Sequence, residues 1–251
     1  MNPFVNVEIN QAVATITFFH PQSNSFPSSQ LKQLTEAITQ LNDNSQVSVI
    51  VLKSEGEKAF CAGASFDELL QVDTIEKGRA FFSGFAHVIN AMRKSNKIIV
   101  GRIQGKTVGG GVGIVAACDY TFAHTDAAIK LSELAIGIGP FVIEPAVSRK
   151  IGMPAMSEMT LEATEWKTAQ WAHKNMLFTR LFDSYETMDA SLDVFVTQLS
   201  SFNPEALFEM KKVLWKDTEH WDTLLLERAE ISGTLVLSDF TKNALNAFKK
   251  K

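Results

Sequence analysis

The chain has 251 residues, of which 45% are hydrophobic and 21% are charged, the composition of a folded globular protein. The formal net charge of −4 argues against nucleic acid as a partner. Two cysteines occur, no stretch has the pattern of a signal peptide, and no apolar run is long enough to span a bilayer. The sequence therefore predicts a cytoplasmic protein without a membrane partner.

Strands and helices alternate in the pattern of the first half of the chain. Residues 5–9 and 12–19 alternate apolar and polar side chains, which predicts a β-hairpin. A helix is predicted next, with Ser28 or Ser29 near its N-cap, because apolar residues then recur at helical spacing. Further strands are predicted at 47–52, 98–103 and 119–123, with 128–131 extending or pairing with the last, and helices at 66–71, 76–94 and 112–117.

From Glu133 onward the pattern becomes helical. An alternating first part followed by helices indicates an α/β core with a helical C-terminal part. We place the core at 1–195 and the helical region at 196–251, within one folding unit because no linker or repeat separates them. The later helices are predicted at 143–151, 155–162, 184–199, 204–215, 221–236 and 239–251.

Small residues crowd two places where a predicted strand gives way to a helix. Ala62-Gly63-Ala64 follows the strand at 47–52, and Gly109-Gly110-Gly111 follows the strand at 98–103. Small residues let a ligand approach the backbone closely, and a helix N-terminus supplies unpaired N–H groups. Two such loops at neighbouring strand ends predict an oxyanion hole, in which each donor contributes about 3 kcal/mol to a transition state.

Two other interpretations of these glycines stand beside the oxyanion hole. Glycines also permit tight turns or close packing in the absence of any ligand. The stretch 111–116 fits the dinucleotide pattern G-x-G-x-x-A, but that pattern opens a helix directly after the first strand of its unit. Residues 105–109 intervene here, and a hairpin and one strand–helix unit come earlier, which disfavours a dinucleotide site.

Four segments of the chain together carry a family resemblance. Residues 58–65 (KAFCAGAS) and 105–111 (GKTVGGG) are the two loops rich in small residues, and 117–120 and 131–137 follow them. They resemble the signature segments of the crotonase family (enoyl-CoA hydratase/isomerase), and the similarity covers essentially the whole chain. The resemblance implies an α/β fold of the crotonase type, a spiral of β-β-α units followed by a C-terminal helical trimerisation region.

The resemblance also implies a binding site for an acyl-CoA thioester. It implies that the N–H groups of Ala64 and Gly110 hold the thioester oxygen and stabilise an enolate. It further implies that coenzyme A contacts Lys58 and Ala62. Coenzyme A is then part of the substrate, so we expect no separate cofactor.

The C-terminal helix has an implied role in a neighbouring subunit. In the family, the last helix of a neighbour usually completes the coenzyme A site, and Phe248 and Lys251 stand at the matching positions. This implies a homotrimer or a dimer of trimers. A solvated basic tail is the alternative interpretation of the terminal lysines.

Glu133 is the candidate acid–base residue. Family hydratases usually carry two glutamates, at the positions of Gly113 and Glu133, so this chain keeps one of the two. Glu133 precedes the apolar stretch 134–137 in a segment predicted to be mostly buried, and burial raises a carboxyl pKa as acid–base catalysis at neutral pH requires. The alternative is a capping role at a helix N-terminus, shared with Ser132.

One carboxylate suffices to move a proton from the α-carbon of a 3-enoyl-CoA to its γ-carbon, whereas hydration normally uses two groups. The resemblance therefore favours isomerisation over hydration, and several family isomerases carry a Pro-Phe pair, as at Pro140-Phe141. Glu144 is a second candidate carboxylate whose direction the sequence leaves open. The alternative function is a non-catalytic acyl-CoA-binding or heteromeric subunit, which the retention of Glu133 disfavours.

Other residue types predict less chemistry. The five histidines show no metal-ligand spacing, so no metal site is predicted, and no G-x-S-x-G segment indicates a serine hydrolase. Cys61 lies in the first loop, where a small packed thiol is favoured over a nucleophile.

Overall fold

The computed structural model describes residues 1–249, which form an α/β fold. The strands are β1 (Phe4–Asn10), β2 (Val13–Phe19), β3 (Val49–Ser54), β4 (Ala59–Cys61), β5 (Ile98–Ile103), β6 (Lys106–Val108), β7 (Tyr120–His124), β8 (Ala128–Lys130), β9 (Lys167–Thr168) and β10 (Arg180–Phe182). The helices are α1 (Ser28–Asn42), α2 (Phe66–Leu69), α3 (Ile75–Lys94), α4 (Gly110–Ala117), α5 (Glu144–Leu161), α6 (Ala169–Lys174), α7 (Tyr185–Ser200), α8 (Pro204–Leu214), α9 (Trp221–Leu235) and α10 (Asp239–Lys249), with a 3-10 helix at Leu134–Ile136.

The larger sheet has six strands in the order β1-β2-β3-β5-β7-β10. The hairpin β1–β2 is antiparallel and the other neighbours are parallel, which confirms the predicted hairpin and the three predicted buried strands. Side chains of β3 and β5 are almost all buried, as expected for β-branched runs covered on both faces. The sixth strand, β10, was missed because three residues are too few for an alternating pattern.

A second, smaller sheet has the order β4-β6-β8-β9. The prediction that 128–131 extends or pairs with the strand at 119–123 is wrong, because β8 pairs with β6 and β9 instead. Strands β4, β6 and β8 are parallel, so their carboxyl ends meet at one edge. This edge delivers three segments to one place: 62–64 after β4, 109–111 after β6 and Glu133 after β8.

Helices α1 and α3 pack their apolar faces into the main core. The predicted start of α1 is confirmed at Ser28, although Pro27 is the N-cap residue and the first amide, that of Ser28, donates to Glu68 Oε2 at 2.9 Å. Helix α3 crosses α9 at a pair of glycines, since a methyl group added at Gly78 would lie 2.7 Å from Gly233 Cα. This close approach brings the C-terminal region against the core.

The later helices largely follow the prediction. Helix α5 is interrupted at Gly152, where φ is +77°, between the two helices predicted at 143–151 and 155–162. The suggested division after residue 195 falls inside α7. Over residues 1–249, no helix combines the length and the apolar character that a bilayer crossing requires.

Candidate active site

In the first loop, residues 62–64, the backbone N–H of Ala64 points away from the neighbouring segment at Phe26. Phe26 donates its amide to Gly63 O at 2.8 Å and accepts the amide of Ser65 at 2.9 Å, which makes a parallel bridge opposite Ala64. In a parallel bridge these bonds use the residues on either side, so the N–H of Ala64 faces the other way. Ala64 lines a cleft on that side.

The second loop presents the first N–H groups of α4. Gly109 adopts φ +54° and donates its amide to Lys130 O at 2.9 Å, and α4 begins at Gly110. N–H groups of a first helical turn have no partner within the helix. A methyl group on Gly63 would lie 3.1 Å from Val108 O and 3.9 Å from Gly110 N, so the two loops touch. Gly110 lines the same cleft as Ala64.

The cleft has a volume of about 770 Å³ when the space open to solvent at its mouth is included. Its walls are apolar apart from backbone groups and the side chains of Ser132, Glu133 and Ser232. Glu133 is the one titratable side chain among the lining residues that the structure describes. Phe141, noted from the sequence with Pro140, also lines the cleft. Four further phenylalanines were not singled out from the sequence, although the last three share a helical face: Phe66, Phe81, Phe82 and Phe85.

Glu133 places its carboxyl group against the second loop. Its Oε1 lies 3.0 Å from the position that a methyl group on Gly109 would take. Its Oε2 is buried and has no hydrogen-bond partner within the described part of the chain. Burial raises the pKa of Glu133 to about 7.

The structure bears on the alternative capping role of Glu133 and corrects the predicted burial of its segment. Glu133 is the N-cap residue of the 3-10 helix, yet its side chain makes no capping hydrogen bond. The segment is also less buried than predicted, since Leu134 is 41% exposed. The apolar environment of the carboxyl group comes from the rest of the cleft, which the local sequence does not show.

Position 113 has no room for a side chain. A methyl group on Gly113 would lie 2.4 Å from Ile143 Cγ2 and 3.3 Å from Ile89 Cδ1. Ile143 therefore fills the space next to Gly113 on α4. This contact joins residues 30 positions apart, and no local pattern in the sequence signals it.

Glu144 points into a different environment from Glu133. Its Oε1 accepts a hydrogen bond from Ser148 Oγ at 2.6 Å, and its Oε2 lies 4.0 Å from Arg228 Nη2. Glu144 is not among the residues that line the cleft. The structure thus answers the question that the sequence left open.

The remaining small residues of the loops serve packing. A methyl group on Gly111 would lie 2.8 Å from Cys61 Sγ, so this glycine allows α4 to sit on β4. Cys61 is fully buried and burial raises its pKa to about 12, which fits a packed thiol. Ser65 caps α2 by accepting the amide of Glu68 at 3.3 Å. Residues 1–249 contain no group of three His, Cys, Asp or Glu arranged for a metal ion.

The predicted coenzyme A contacts fall in two places. Ala62 lines the cleft, and its amide donates to Ser23 O at 3.1 Å. Lys58 is exposed and lies on a neighbouring cleft that Ser23 also lines. Lys251 lies outside the described residues, and the side chain of Phe248 in α10 is likewise not described.

Solved structures share this fold over nearly its whole length. The crystal structure of an enoyl-CoA hydratase from Bacillus halodurans superposes with a TM-score of 0.90 at 22% sequence identity, covering 97% of this chain and 99% of that one. This likeness identifies the fold as the crotonase type that the sequence predicted.

Sequence comparisons identify the family. The family model for enoyl-CoA hydratase/isomerase matches residues 8–249. A short-chain-enoyl-CoA hydratase from Clostridium acetobutylicum is 28% identical over 250 residues, 98% of this chain and 95% of that protein. A peroxisomal Delta(3,5)-Delta(2,4)-dienoyl-CoA isomerase from Arabidopsis thaliana is 25% identical over 202 residues, 74% of this chain and 71% of that protein. The chain belongs to the enoyl-CoA hydratase/isomerase family.

Proposed function

We propose that this enzyme binds an enoyl-CoA, stabilises its thioester enolate with the N–H groups of Ala64 and Gly110, and transfers a proton with Glu133. The observation that carries the proposal is the meeting of these three groups at one edge of the smaller sheet, inside an apolar cleft. In such surroundings, aligned N–H donors stabilise developing negative charge more strongly than they do in water.

The proposed reaction is a shift of the C=C bond. Ionised Glu133 removes a proton from the α-carbon of a 3-enoyl-CoA, and the electrons move onto the thioester oxygen between Ala64 and Gly110. The protonated carboxyl then delivers the same proton to the γ-carbon as the C=O bond re-forms, which yields the 2-enoyl-CoA. A pKa of about 7 suits both halves of this step near neutral pH.

Isomerisation is favoured over hydration because the cleft offers a single carboxyl group. Ile143 occupies the space beside Gly113, and Glu144 is turned toward Ser148. Hydration needs one group to orient water and another to deliver the proton, and this cleft supplies one titratable group among its described lining residues. The hydratase names of several relatives make hydration the second candidate.

Coenzyme A is proposed to extend from Ala62 toward Lys58. The hydrogen bond from the Ala62 amide to Ser23 O links the edges of the two clefts. The exposed ammonium group of Lys58 is then available to a phosphate at the far end of the substrate. Phe248 and Lys251 of a neighbouring subunit remain proposed contacts.

The test is a comparison of two substrates with purified protein. We expect turnover of a 3-enoyl-CoA to exceed hydration of the matching 2-enoyl-CoA, and Glu133→Gln to lower the isomerisation rate by at least about 10²-fold. Glu144→Gln is the matched control and should retain activity. Wild-type activity in Glu133→Gln would refute the assigned base. Faster hydration would refute isomerisation, and turnover of neither substrate would favour a non-catalytic subunit.

A backbone variant tests the oxyanion hole. Ala64→Pro removes the N–H that faces the cleft, while the bridge bonds of Phe26 use Gly63 and Ser65 and remain. We expect kcat to fall by about 10²-fold or more, and Ala64→Gly, which keeps the N–H, to stay near wild type. A folded Ala64→Pro variant with unchanged kcat would remove Ala64 from the mechanism. Position 110 suits this test less well, because a methyl group there would lie 2.4 Å from the Phe85 ring.

A further inference from the structure

The segment that carries Glu133 ends in a tight turn. The amide of Gly137 donates to Leu134 O at 3.0 Å, and the amide of Ile138 donates to Glu133 O at 3.0 Å. Gly137 has φ +85°, a conformation that favours glycine. Gly137 is therefore tied to the segment by its own bond to Leu134 O, and its neighbour Ile138 is bonded to the backbone of Glu133.

The first turn of α10 packs directly on this glycine. A methyl group on Gly137 would lie 2.5 Å from Phe240 Cδ1 and 2.6 Å from Thr241 Oγ1. We call this packing of Phe240 and Thr241 on Gly137 the Gly137 contact. Only a residue without a side chain leaves room for the helix to approach so closely.

Helix α10 is itself fixed at this place. Thr241 is fully buried, and its Oγ1 donates to Leu235 O at 3.2 Å. Its amide donates to Ser238 Oγ at 3.3 Å. Further along the helix, Leu245 packs with Leu69 in an apolar cluster. The helix is thus anchored both to the end of α9 and to the wall of the cleft.

We infer that the Gly137 contact is a positioning element for Glu133, in which the last helix of the same subunit holds the acid–base carboxyl group in its buried place. Phe240 and Thr241 do not line the cleft, so they act through Gly137. The inference rests on the proposed function of Glu133. It also gives α10 a role within its own subunit, in addition to the implied role of its end in a neighbour.

The contact has a chemical consequence for the carboxyl group. Leu134 and Ala135 are exposed, so the loop has little packing of its own apart from the cleft and α10. If α10 no longer presses on Gly137, the loop moves outward and water reaches the Glu133 carboxyl. The pKa of Glu133 then falls toward its ordinary value, and the carboxylate leaves its position near the Gly109 turn.

Nearby charged groups do not offer another explanation for a fall in the pKa of Glu133. The helices around the loop carry these described charged or titratable side chains: Asp67 and Glu68 on α2; Glu76, Lys77, Arg79, His87, Arg93 and Lys94 on α3; Glu144, Arg149, Lys150 and Glu158 on α5; Asp222, Glu227, Arg228 and Glu230 on α9; and Asp239 and Lys242 on α10. None of them lines the cleft with Glu133. A lowered Glu133 pKa in a variant at position 240 or 241 therefore reports movement of the loop.

The experiment uses Phe240→Ala and Thr241→Val in the full-length protein. Phe240 is 66% exposed, so its truncation should leave the fold intact. We expect kcat to fall between about 10- and 100-fold with a smaller change in KM, because a shift of about 1 Å in a catalytic group has this effect. We also expect the acidic limb of the kcat/KM pH profile to move to lower pH. Thr241→Ser keeps the hydroxyl group, so its kcat and its pH profile should match those of the wild type. Asn243→Ala, on the exposed face of α10, should also leave kcat and the pH profile unchanged.

A measurement without substrate separates the positioning role of the Gly137 contact from the proposed acid–base role of Glu133. The Glu133 carboxyl is titrated by carbon-13 NMR, with Glu133→Gln identifying its signal, and its pKa should fall in Phe240→Ala and Thr241→Val. Wild-type kcat and an unchanged Glu133 titration in both folded variants would overturn the inference. If Glu133→Gln itself keeps full activity, the proposed function fails instead, whatever the titration shows.

Discussion

At the scale of single residues, burial of the Glu133 carboxyl group makes the folding stability depend on pH. Its pKa is raised to about 7 from an ordinary 4.5, so the folded protein binds a proton there more tightly than the unfolded chain does. The stabilising contribution is complete below about pH 4.5 and is lost as pH rises through about 7. A shift of this size corresponds to about 3 kcal/mol.

Glu133→Gln should therefore become more stable than wild type as the pH is raised. We expect the difference in unfolding free energy to grow by up to about 3 kcal/mol between pH 4 and pH 8, measured by urea denaturation. Glu36→Gln, at an exposed position on α1, is the control and should show a difference within about 0.5 kcal/mol at both pH values. A pH-independent difference for Glu133→Gln would contradict the burial argument.

Ile143 occupies the space that a side chain at Gly113 would need. Gly113→Glu alone should be destabilised by about 3 kcal/mol or more, because the new side chain collides with Ile143. In Gly113→Glu/Ile143→Ala the space is opened, and we expect hydration of a 2-enoyl-CoA to rise by about 10²-fold over wild type.

The control for this pair is Ile143→Ala, which opens the same space without a second carboxyl group. It should lose about 3 kcal/mol of stability and gain no hydration. Equal hydration by Ile143→Ala and by the double variant would show that space, and not a second carboxyl group, limits the reaction. A stable and active Gly113→Glu single variant would contradict the steric argument.

At the scale of elements, a buried charge network fastens α8 to the larger sheet. Asp119 accepts hydrogen bonds from Lys211 Nζ at 2.6 Å, from Trp215 Nε1 at 2.7 Å and from the amide of Ile99 at 2.7 Å. Both charged partners are almost fully buried. Removing one partner leaves the other charge buried and unpaired, which costs more than the pair contributes.

Adjacent lysines on α8 provide a matched comparison. Lys211→Ala should lower the unfolding free energy by about 3–5 kcal/mol, whereas Lys212→Ala should change it by no more than about 1 kcal/mol, because the Lys212–Glu209 pair is exposed. Urea denaturation of the two variants measures the contrast. Equal effects would show that the Asp119 network does not hold α8.

At the scale of the whole molecule, the helical region presents apolar side chains to solvent. Met210 is 50% exposed and Val213 is 58% exposed, both on α8, and Phe202 and Leu214 lie beside them with similar exposure. Exposed apolar patches of this kind mark association surfaces. We therefore expect association through this region, and the family resemblance implies that the assembly is a homotrimer or a dimer of trimers.

Light scattering after gel filtration tests the assembly. The wild-type mass should be three or six times the 27.7 kDa of one chain. Val213→Asp should lower that mass, because it places a charge on the apolar surface, while Lys212→Asp on the polar side of the same helix should not. A wild-type mass of one chain would refute the assembly.

Local patterns in the sequence predicted much of the fold and part of the candidate site. The hairpin, the buried strands and the long helices have enough residues to display a period, and that period depends on the chain alone. The two loops of small residues were proposed from the sequence because exposed backbone donors require small residues, and Glu133 was proposed because of the family resemblance. Strands of two or three residues, such as β4, β6 and β9, were missed because they are too short to show alternation.

The tertiary structure decided what distant residues do to one another. The packing of Ile143 on Gly113, of α10 on Gly137 and of Glu144 on Ser148 depends on how whole elements approach. Free space, burial and contact depend on how distant elements pack together, so the spacing of residues along the chain does not reveal them. The sequence by itself determined which groups are available for the proposed enolate chemistry, and only the fold decided that one carboxyl group among them faces the cleft.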